Sequence, residues 1–325
     1  SLVYATDNGA DIISMSFGGP DSVILANAIN YSYSNGAVLV AAAGNNFQDD
    51  TPQYPAAYPV VIAVAASREN DQLAAFSSSG FWVDITAPGQ NIISTAIPGL
   101  TWGCVDTLGG GYGSCSGTSM ATPLTAGIIG LAKSKLPNLD QNQVWTLTQS
   151  SYDPLLTYYF SNPYYGPGRI NASKIVSFNS VPQALLDNHL LDNLYITSGL
   201  INITGTAGGQ NFSSYQLQIG AGTYPNIWST ISNGLTPINS GLFAAWNPAS
   251  SPPDIYTIRL LVTDTNSKTF EDRALIISDT TVLAGWPQQI TTQTFFGLFR
   301  SFQNLMDIDS NSDGELFFQN TEIPQ

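Results

Sequence analysis

Two uninterrupted apolar runs constrain this chain more than any other feature: Ala37-Val38-Leu39-Val40-Ala41-Ala42-Ala43 and Val60-Val61-Ile62-Ala63-Val64-Ala65-Ala66. A strand with one face in water alternates polar and apolar positions, and these do not. Runs of this length with turn residues at their ends fit strands buried on both faces of a parallel sheet. Such a sheet needs helices on both sides. The sequence supplies one between the strands. Asp11-Ile12-Ile13-Ser14-Met15-Ser16-Phe17 is a short β-prone run ending at Gly18-Gly19-Pro20. Asp21 then caps a helix with Ile24, Leu25, Ala28 and Ile29 on one face, and Asn35-Gly36 stops it. Strand, helix, strand in this order predicts right-handed crossovers and a doubly wound, mostly parallel α/β sheet. Ligands on such sheets bind at the carboxyl ends of the strands, where Gly18-Gly19 and Gly44-Asn45 fall.

A second helix is predicted over 118–135, with Ala121, Leu124, Ile128, Leu131 and Ala132 on one face. Lys133 and Lys135 suit its carboxyl end, and Pro137 closes it. From about residue 190 strand-like runs alternate with Gly, Asn, Pro and Ser turns. The clearest are Leu200–Thr204, Tyr215–Ile219 and Tyr256–Val262. An all-β, immunoglobulin-like sandwich is the natural packing of such runs. The expected organisation is an α/β part over 1–176, a linker over 177–190, the sandwich over 191–280, and a linker with the start of an acidic repeat over 281–325.

Composition narrows the function. Nine Lys and Arg stand against 23 Asp and Glu, a formal charge of −14, which excludes a nucleic-acid binder that needs a basic face. Two cysteines are too few for a disulfide scaffold or a Cys-based zinc site. No apolar run is long enough to span a membrane. There is one histidine, His189, so any chemistry that needs an imidazole has that candidate or an outside one.

The segment richest in chemistry is Ser116-Gly117-Thr118-Ser119-Met120-Ala121-Thr122-Pro123. It places a Ser on the first turn of an apolar helix, where free N–H groups and the helix dipole favour a developing oxyanion. An ordinary Ser/Thr cap would look the same in isolation. Ala41-Ala42-Ala43-Gly44-Asn45-Asn46 puts a carboxamide just past a buried strand, able to donate to that oxyanion or simply to sit in a turn. Ser16-Phe17-Gly18-Gly19 offers an edge of little bulk, suited to adding a substrate strand.

These three segments, in this order, with Tyr54-Pro55-Ala56 and Thr86-Ala87-Pro88-Gly89 between them, resemble the subtilisin-like serine peptidases. Gly9–Ser16 at the front and Tyr165–Ala172 at the back extend the resemblance over residues 1 to about 176. It implies a subtilisin-type sheet, present in part. It implies that Ser119 is the nucleophile and that Asn45, with the Ser119 N–H, holds the oxyanion. Ser16, Phe17 and Gly18 would pair with the substrate, and Ala42, Ala43 and Gly44 would form one wall of the pocket for the residue before the cleaved bond. Substrates would be polypeptides, and catalysis would need no cofactor. The family's chain order is Asp, His, Ser. Neither an Asp nor a His motif of the family precedes Asn45, and His189 follows the closing segment. The expectation is therefore an upstream segment that supplies both, and no peptidase activity from residues 1–325 alone. The rival is a non-catalytic extracellular binding or adhesion protein on a degenerate peptidase scaffold.

Two weaker signals remain. Cys104 and Cys115 bracket Gly109-Gly110-Gly111-Tyr112-Gly113, and either a loop-closing disulfide or two unpaired thiols would fit. An acidic chain of secreted, extracellular character favours the bridge. Asp309, Asn311, Asp313 and Gly314 fit the opening of a calcium loop, although Asn320 stands where an EF-hand needs Glu. Structural Ca2+ and a solvated acidic turn both fit there.

Overall fold

The two apolar runs become the inner strands of a parallel sheet, and their register explains their composition. The computed structural model describes residues 1–47, 51–80, 82–99, 104–155, 165–187, 194–196, 200–247 and 254–278. The first part contains α1 (Leu2–Asp7), β1 (Ile12–Met15), α2 (Val23–Ser34), β2 (Val38–Ala42), β3 (Val61–Ser67) and β4 (Ile85–Pro88). Then come β5 (Ile92–Thr95), β6 (Tyr112–Cys115), α3 (Thr118–Lys135), α4 (Gln141–Ser150), β7 (Tyr152–Asp153), β8 (Arg169–Ile170) and α5 (Ala172–Ile175). The main sheet has the order β1-β2-β3-β4-β8-β7 and is parallel except for β7. Along β2 the side chains alternate between two cores. Leu39 and Ala41 pack with Leu2 of α1 and Ile29 of α2. Val38 and Val40 pack with Ala121, Ile129 and Ala132 of α3. With helices on both faces, no position on the strand can be polar. Among the described strands β1 is one edge of this sheet and β7 the other.

Two helix details depart from the sequence reading. The first is at α2, where the N-cap is Ser22 and Asp21 instead accepts a hydrogen bond from the Tyr58 hydroxyl at 2.7 Å. The other is the buried stripe of α3, which is Thr118, Ala121, Thr122, Thr125, Ile129 and Ala132, while Leu124 and Leu131 are 39% and 54% exposed. The stripe keeps helical spacing but is built largely of threonines. The Thr122 hydroxyl donates to the Thr118 carbonyl at 2.8 Å, and that of Thr125 to Ala121 at 3.2 Å. Hydroxyls satisfied inside their own helix can be buried against a sheet.

The second part is β throughout: β9 (Gln183–Leu186), β10 (Leu194–Ile196), β11 (Ile201–Gly208), β12 (Phe212–Ala221), β13 (Ser229–Gly234), β14 (Ile238–Trp246), β15 (Asp254–Asp264) and β16 (Thr269–Ser278). They form a five-stranded sheet, β10-β16-β15-β12-β13, and a three-stranded sheet, β14-β11-β9. Leu217, Ile258, Leu260 and Ala274 of the first share one core with Ile203, Ala207 and Phe243 of the second.

The described part of the expected linker, residues 177–187, carries regular structure. It contains β9, which pairs antiparallel with β11. Thr146 of α4 grips β9 in both directions, its hydroxyl donating to the Ala184 carbonyl at 3.2 Å and accepting from the Ala184 N–H at 3.1 Å. Four residues are too few for an alternating pattern to stand out in the sequence. Consequently the α/β part and the β part share a core, with Val144 and Leu147 of α4 in the same cluster as Ala184, Leu186 and Phe270. The seam is also polar. Asp272, 1% exposed, accepts from the Trp145 indole N–H at 3.1 Å and the Leu186 N–H at 2.8 Å. Glu271 accepts from the Tyr152 hydroxyl at 2.7 Å and pairs with Arg273 at 2.9 Å. Burial, together with the Glu271 charge, pushes the Tyr152 phenol well up, so it stays a neutral donor. The described residues of both parts fall in one compact unit.

Candidate active site

The site lies where β1 and β2 end and α3 begins, at the carboxyl edge of the sheet. Ser119 is the second residue of α3, just after the N-cap Gly117. Its hydroxyl donates to the Ser16 carbonyl at 3.4 Å, and the Ser16 hydroxyl donates to the Ser119 carbonyl at 2.9 Å. The second bond has a local cause. In an α-helix the Ser119 carbonyl would accept from the N–H four residues on, and that residue is Pro123, which has none. Ser16 satisfies the orphaned carbonyl and so ties the end of β1 to the start of α3.

Asn45 follows β2, and its side-chain oxygen is held twice, by the Thr118 N–H at 2.9 Å and the Thr118 hydroxyl at 3.1 Å. The same hydroxyl accepts from the Gly44 N–H at 3.1 Å. With its oxygen engaged by donors, the carboxamide must present its NH2 outward. Gly117 marks where it points: a Cβ on Gly117 would sit 3.4 Å from Asn45 Nδ2 and 3.6 Å from the Ser119 N. The space at Gly117 is thus bordered by the Asn45 carboxamide, with Nδ2 at 3.4 Å and Oδ1 at 3.8 Å from such a Cβ, and by the Ser119 N, at the amino end of an 18-residue helix. A space of this kind can hold an oxyanion.

The other positions singled out by the sequence gather around the same edge. Ser16, Phe17 and Gly18 are exposed beyond the end of β1, with Phe17 at 53%. Ala42 and Ala43 are buried, and Gly44, at φ 107°, turns the chain toward Asn45. Cys104 and Cys115 are joined in a disulfide with Cα atoms 5.1 Å apart, beside the β5–β6 hairpin that leads into α3. Thr118, which orients Asn45, had no role in the sequence reading; its signal was its place next to Ser119 in a glycine-flanked hydroxyl pair. Gln53 and Ser78, which close in on Gly44, come from distant loops and left no signal. His189, Asp309, Asn311 and Asp313 lie outside the described residues. Among the described residues no group of three or more His, Cys, Asp or Glu could hold a metal ion, and no helix is long and apolar enough to cross a membrane.

The sequence profile of the subtilase family matches residues 1–173, the whole segment that builds this site. The chain belongs to the subtilase family. It is similar to thermitase of Thermoactinomyces vulgaris, 39% identical over 178 residues, which cover 54% of this chain and 58% of that protein. Subtilisin of Bacillus pumilus is 42% identical over 174 residues, covering 52% and 58%. A thermophilic serine proteinase of Bacillus sp. (strain AK1) is 39% identical over 180 residues, covering 55% and 40%. This subtilase chain thus spans about half the length of the curated relatives it matches. Among solved structures, a protease of Pseudoalteromonas arctica PAMC 21717 aligns with a TM-score of 0.47 and 28% identity, covering 54% of this chain and 56% of that one.

Proposed function

We propose that this chain carries the nucleophile and oxyanion-binding half of a secreted serine endopeptidase, completed by an upstream segment that supplies the catalytic Asp and His. The observation that carries the reading is the space at Gly117, bordered by Asn45 Nδ2 and the Ser119 N, with Asn45 held through its oxygen by Thr118. A peptide substrate adds along Ser16–Gly18 as a strand. Ser119 Oγ attacks the scissile carbonyl carbon and its proton passes to the imidazole of the upstream segment. The carbonyl oxygen becomes an oxyanion held by the two N–H groups. The C–N bond then breaks, the amine leaves with that proton, and water hydrolyses the acyl-enzyme. Two features support the completing segment. The only histidine of the chain is His189. Among the described residues β1 is the edge strand nearer the nucleophile, and an edge strand offers unpaired N–H and C=O groups to a further strand. In the same reading the β part is an immunoglobulin-like sandwich fixed to the peptidase part, and the acidic segment at 309–314 is a structural calcium site.

A fluorophosphonate probe tests this. Residues 1–325 alone should not be labelled, because Ser119 without an imidazole is a weak nucleophile. The same chain with its upstream segment restored should be labelled at Ser119, and Ser119→Ala should abolish the labelling. Labelling of the chain alone, or none after restoration, contradicts the proposal.

A further inference from the structure

We infer that the β part binds an acidic saccharide on the face of the five-stranded sheet that carries Arg259, with a carboxylate on Arg259 and a sugar ring against Trp228. This face turns away from the core formed by Leu217, Ile258, Leu260 and Ala274. On it Arg259 of β15 and Arg273 of β16 are direct partners across the two strands. Like charges placed opposite each other repel. Glu271 lies between them and is committed to Arg273: its Oε1 accepts from Arg273 Nη2 at 2.9 Å and from the Tyr152 hydroxyl at 2.7 Å. Its Oε2 is 3.8 Å from Arg259 Nη1, too far for a hydrogen bond. Asp272 serves the other face, where it meets Trp145 and Leu186. The side chains of Arg259, Glu271 and Arg273 are 18%, 12% and 11% exposed. Two cations and one anion are therefore held largely out of water, one negative charge short of balance.

The Arg259 guanidinium is fixed in advance of any ligand. Its Nε and Nη2 both donate to Gln218 Oε1 on β12. Its Cζ lies 3.9 Å from the centre of the Trp228 ring, a cation–π contact. What remains is Nη1, which makes no hydrogen bond among the described residues. Burial depresses the Arg259 pKa and Arg273 adds to this, against the opposing charge of Glu271. Trp228 is half-buried, so its ring is shared between Arg259 and solvent, and its indole N–H makes no hydrogen bond among the described residues. The same face carries Gln216 opposite Asn233, and Thr230 opposite Gln218. Gln216, Thr230 and Asn233 are exposed. Such a surface offers an aromatic ring to the C–H face of a pyranose, amides and hydroxyls to its hydroxyl groups, and an oriented guanidinium to a carboxylate. Charge decides between sugars: a neutral one leaves Arg259 uncompensated, and a uronate supplies the missing charge. The ring and the neutral polar groups around it favour the saccharide over an acidic peptide.

The test uses residues 1–325, with trigalacturonate as the probe and neutral maltotriose as its control, and its outcome is independent of the peptidase reading. In calorimetry trigalacturonate should bind, and maltotriose should bind about 10-fold more weakly or not at all. Arg259→Gln should weaken trigalacturonate by about 10-fold or more, the worth of a hydrogen bond to a charged group. Arg259→Lys keeps the charge but loses the planar group held by Gln218, and should fall between the two. Circular dichroism shows which variants fold. In the wild type the Trp228 indole N–H resonance, identified by its absence in Trp228→Phe, should shift as trigalacturonate is added and stay in place with maltotriose. No binding of trigalacturonate, equal binding of maltotriose, or an affinity unmoved in a folded Arg259→Gln overturns the inference. An indole resonance that trigalacturonate leaves in place overturns it as well, whatever the Arg259 variants do. Triglutamate bound as tightly as trigalacturonate also overturns it and makes the site one for acidic peptides.

Discussion

Replacing Asp272 by Ala tests whether the α/β and β parts are one folding unit. Its carboxylate, on β16, accepts from Trp145 of α4, from Leu186 of β9 and from the N–H of Arg273 at 3.0 Å. Removing it leaves two N–H groups from other elements without this acceptor at a site shielded from water. A buried donor stripped of its partner costs about 1–3 kcal/mol. Some of that is offset, because a buried carboxylate no longer has to be desolvated. A net loss of about 3 kcal/mol is expected, a large share of the ~5–15 kcal/mol that holds a typical domain together. In urea titrations of residues 1–325, followed by tryptophan fluorescence and far-UV circular dichroism, the midpoint should fall by about 1 M for an m-value near the top of the usual ~1–3 kcal/mol/M. Both signals should move together. Asp272→Asn, which keeps one acceptor oxygen, should lose less. A shift under ~0.5 kcal/mol, or a split into two transitions of which only one moves, would refute a shared core across the seam.

Three further outcomes follow from the same geometry. Gly117→Ala strains the backbone, since Gly117 sits at φ 158°, and its methyl, 3.4 Å from Asn45 Nδ2, enters the space that the proposed mechanism gives to the oxyanion. The fold should survive by circular dichroism, while kcat of the completed enzyme falls by at least ~10²-fold; unchanged turnover would place the oxyanion elsewhere. The Asp153 carboxyl is held below its ordinary range, first by a hydrogen bond from Lys174 and next by one from Asn171. Its contribution to stability is full above the unfolded carboxylate value of about 4 and is lost as pH falls through the depressed one. Unfolding free energies measured between about pH 5 and pH 2 should therefore show a shallower acid slope in Asp153→Asn than in the wild type. Finally, replacing Cys104 and Cys115 by Ser opens a loop with a sequence separation of 11 and should cost ~2–3 kcal/mol by loop-closure entropy, read by differential scanning calorimetry against the wild type.

The sheet and the site were legible in the sequence to different depths. The runs 37–43 and 60–66 could be read as central strands because burial on both faces leaves no polar position, a pattern with few alternatives. Ser119 and Asn45 were legible because each sits in a glycine-flanked turn at the end of an apolar element. The buried face of α3 was not, because Thr118, Thr122 and Thr125 carry it with hydroxyls bonded back to their own helix. Hydropathy places threonine at the surface and leucine inside, and here Leu124 and Leu131 are the exposed ones. The strand β9 was hidden by its length, and its pairing depends on residues of β11 and α4 far away in the chain. The surroundings of Gly44 were hidden for a similar reason. Gln53 and Ser78 reach Gly44 only once three loops have folded together, and nothing local to either residue announces it.

In the proposed mechanism Asn45 and Ser119 act on one carbonyl. Steady-state kinetics of Asn45→Ala in the protein completed by its upstream segment test it most directly. kcat should fall by about 10²–10³, the loss that removing an oxyanion-hole donor causes in subtilisin, while KM changes little, because the hydrogen bond forms fully only in the transition state. A kcat within a few-fold of wild type, or a loss expressed wholly in KM, would contradict it.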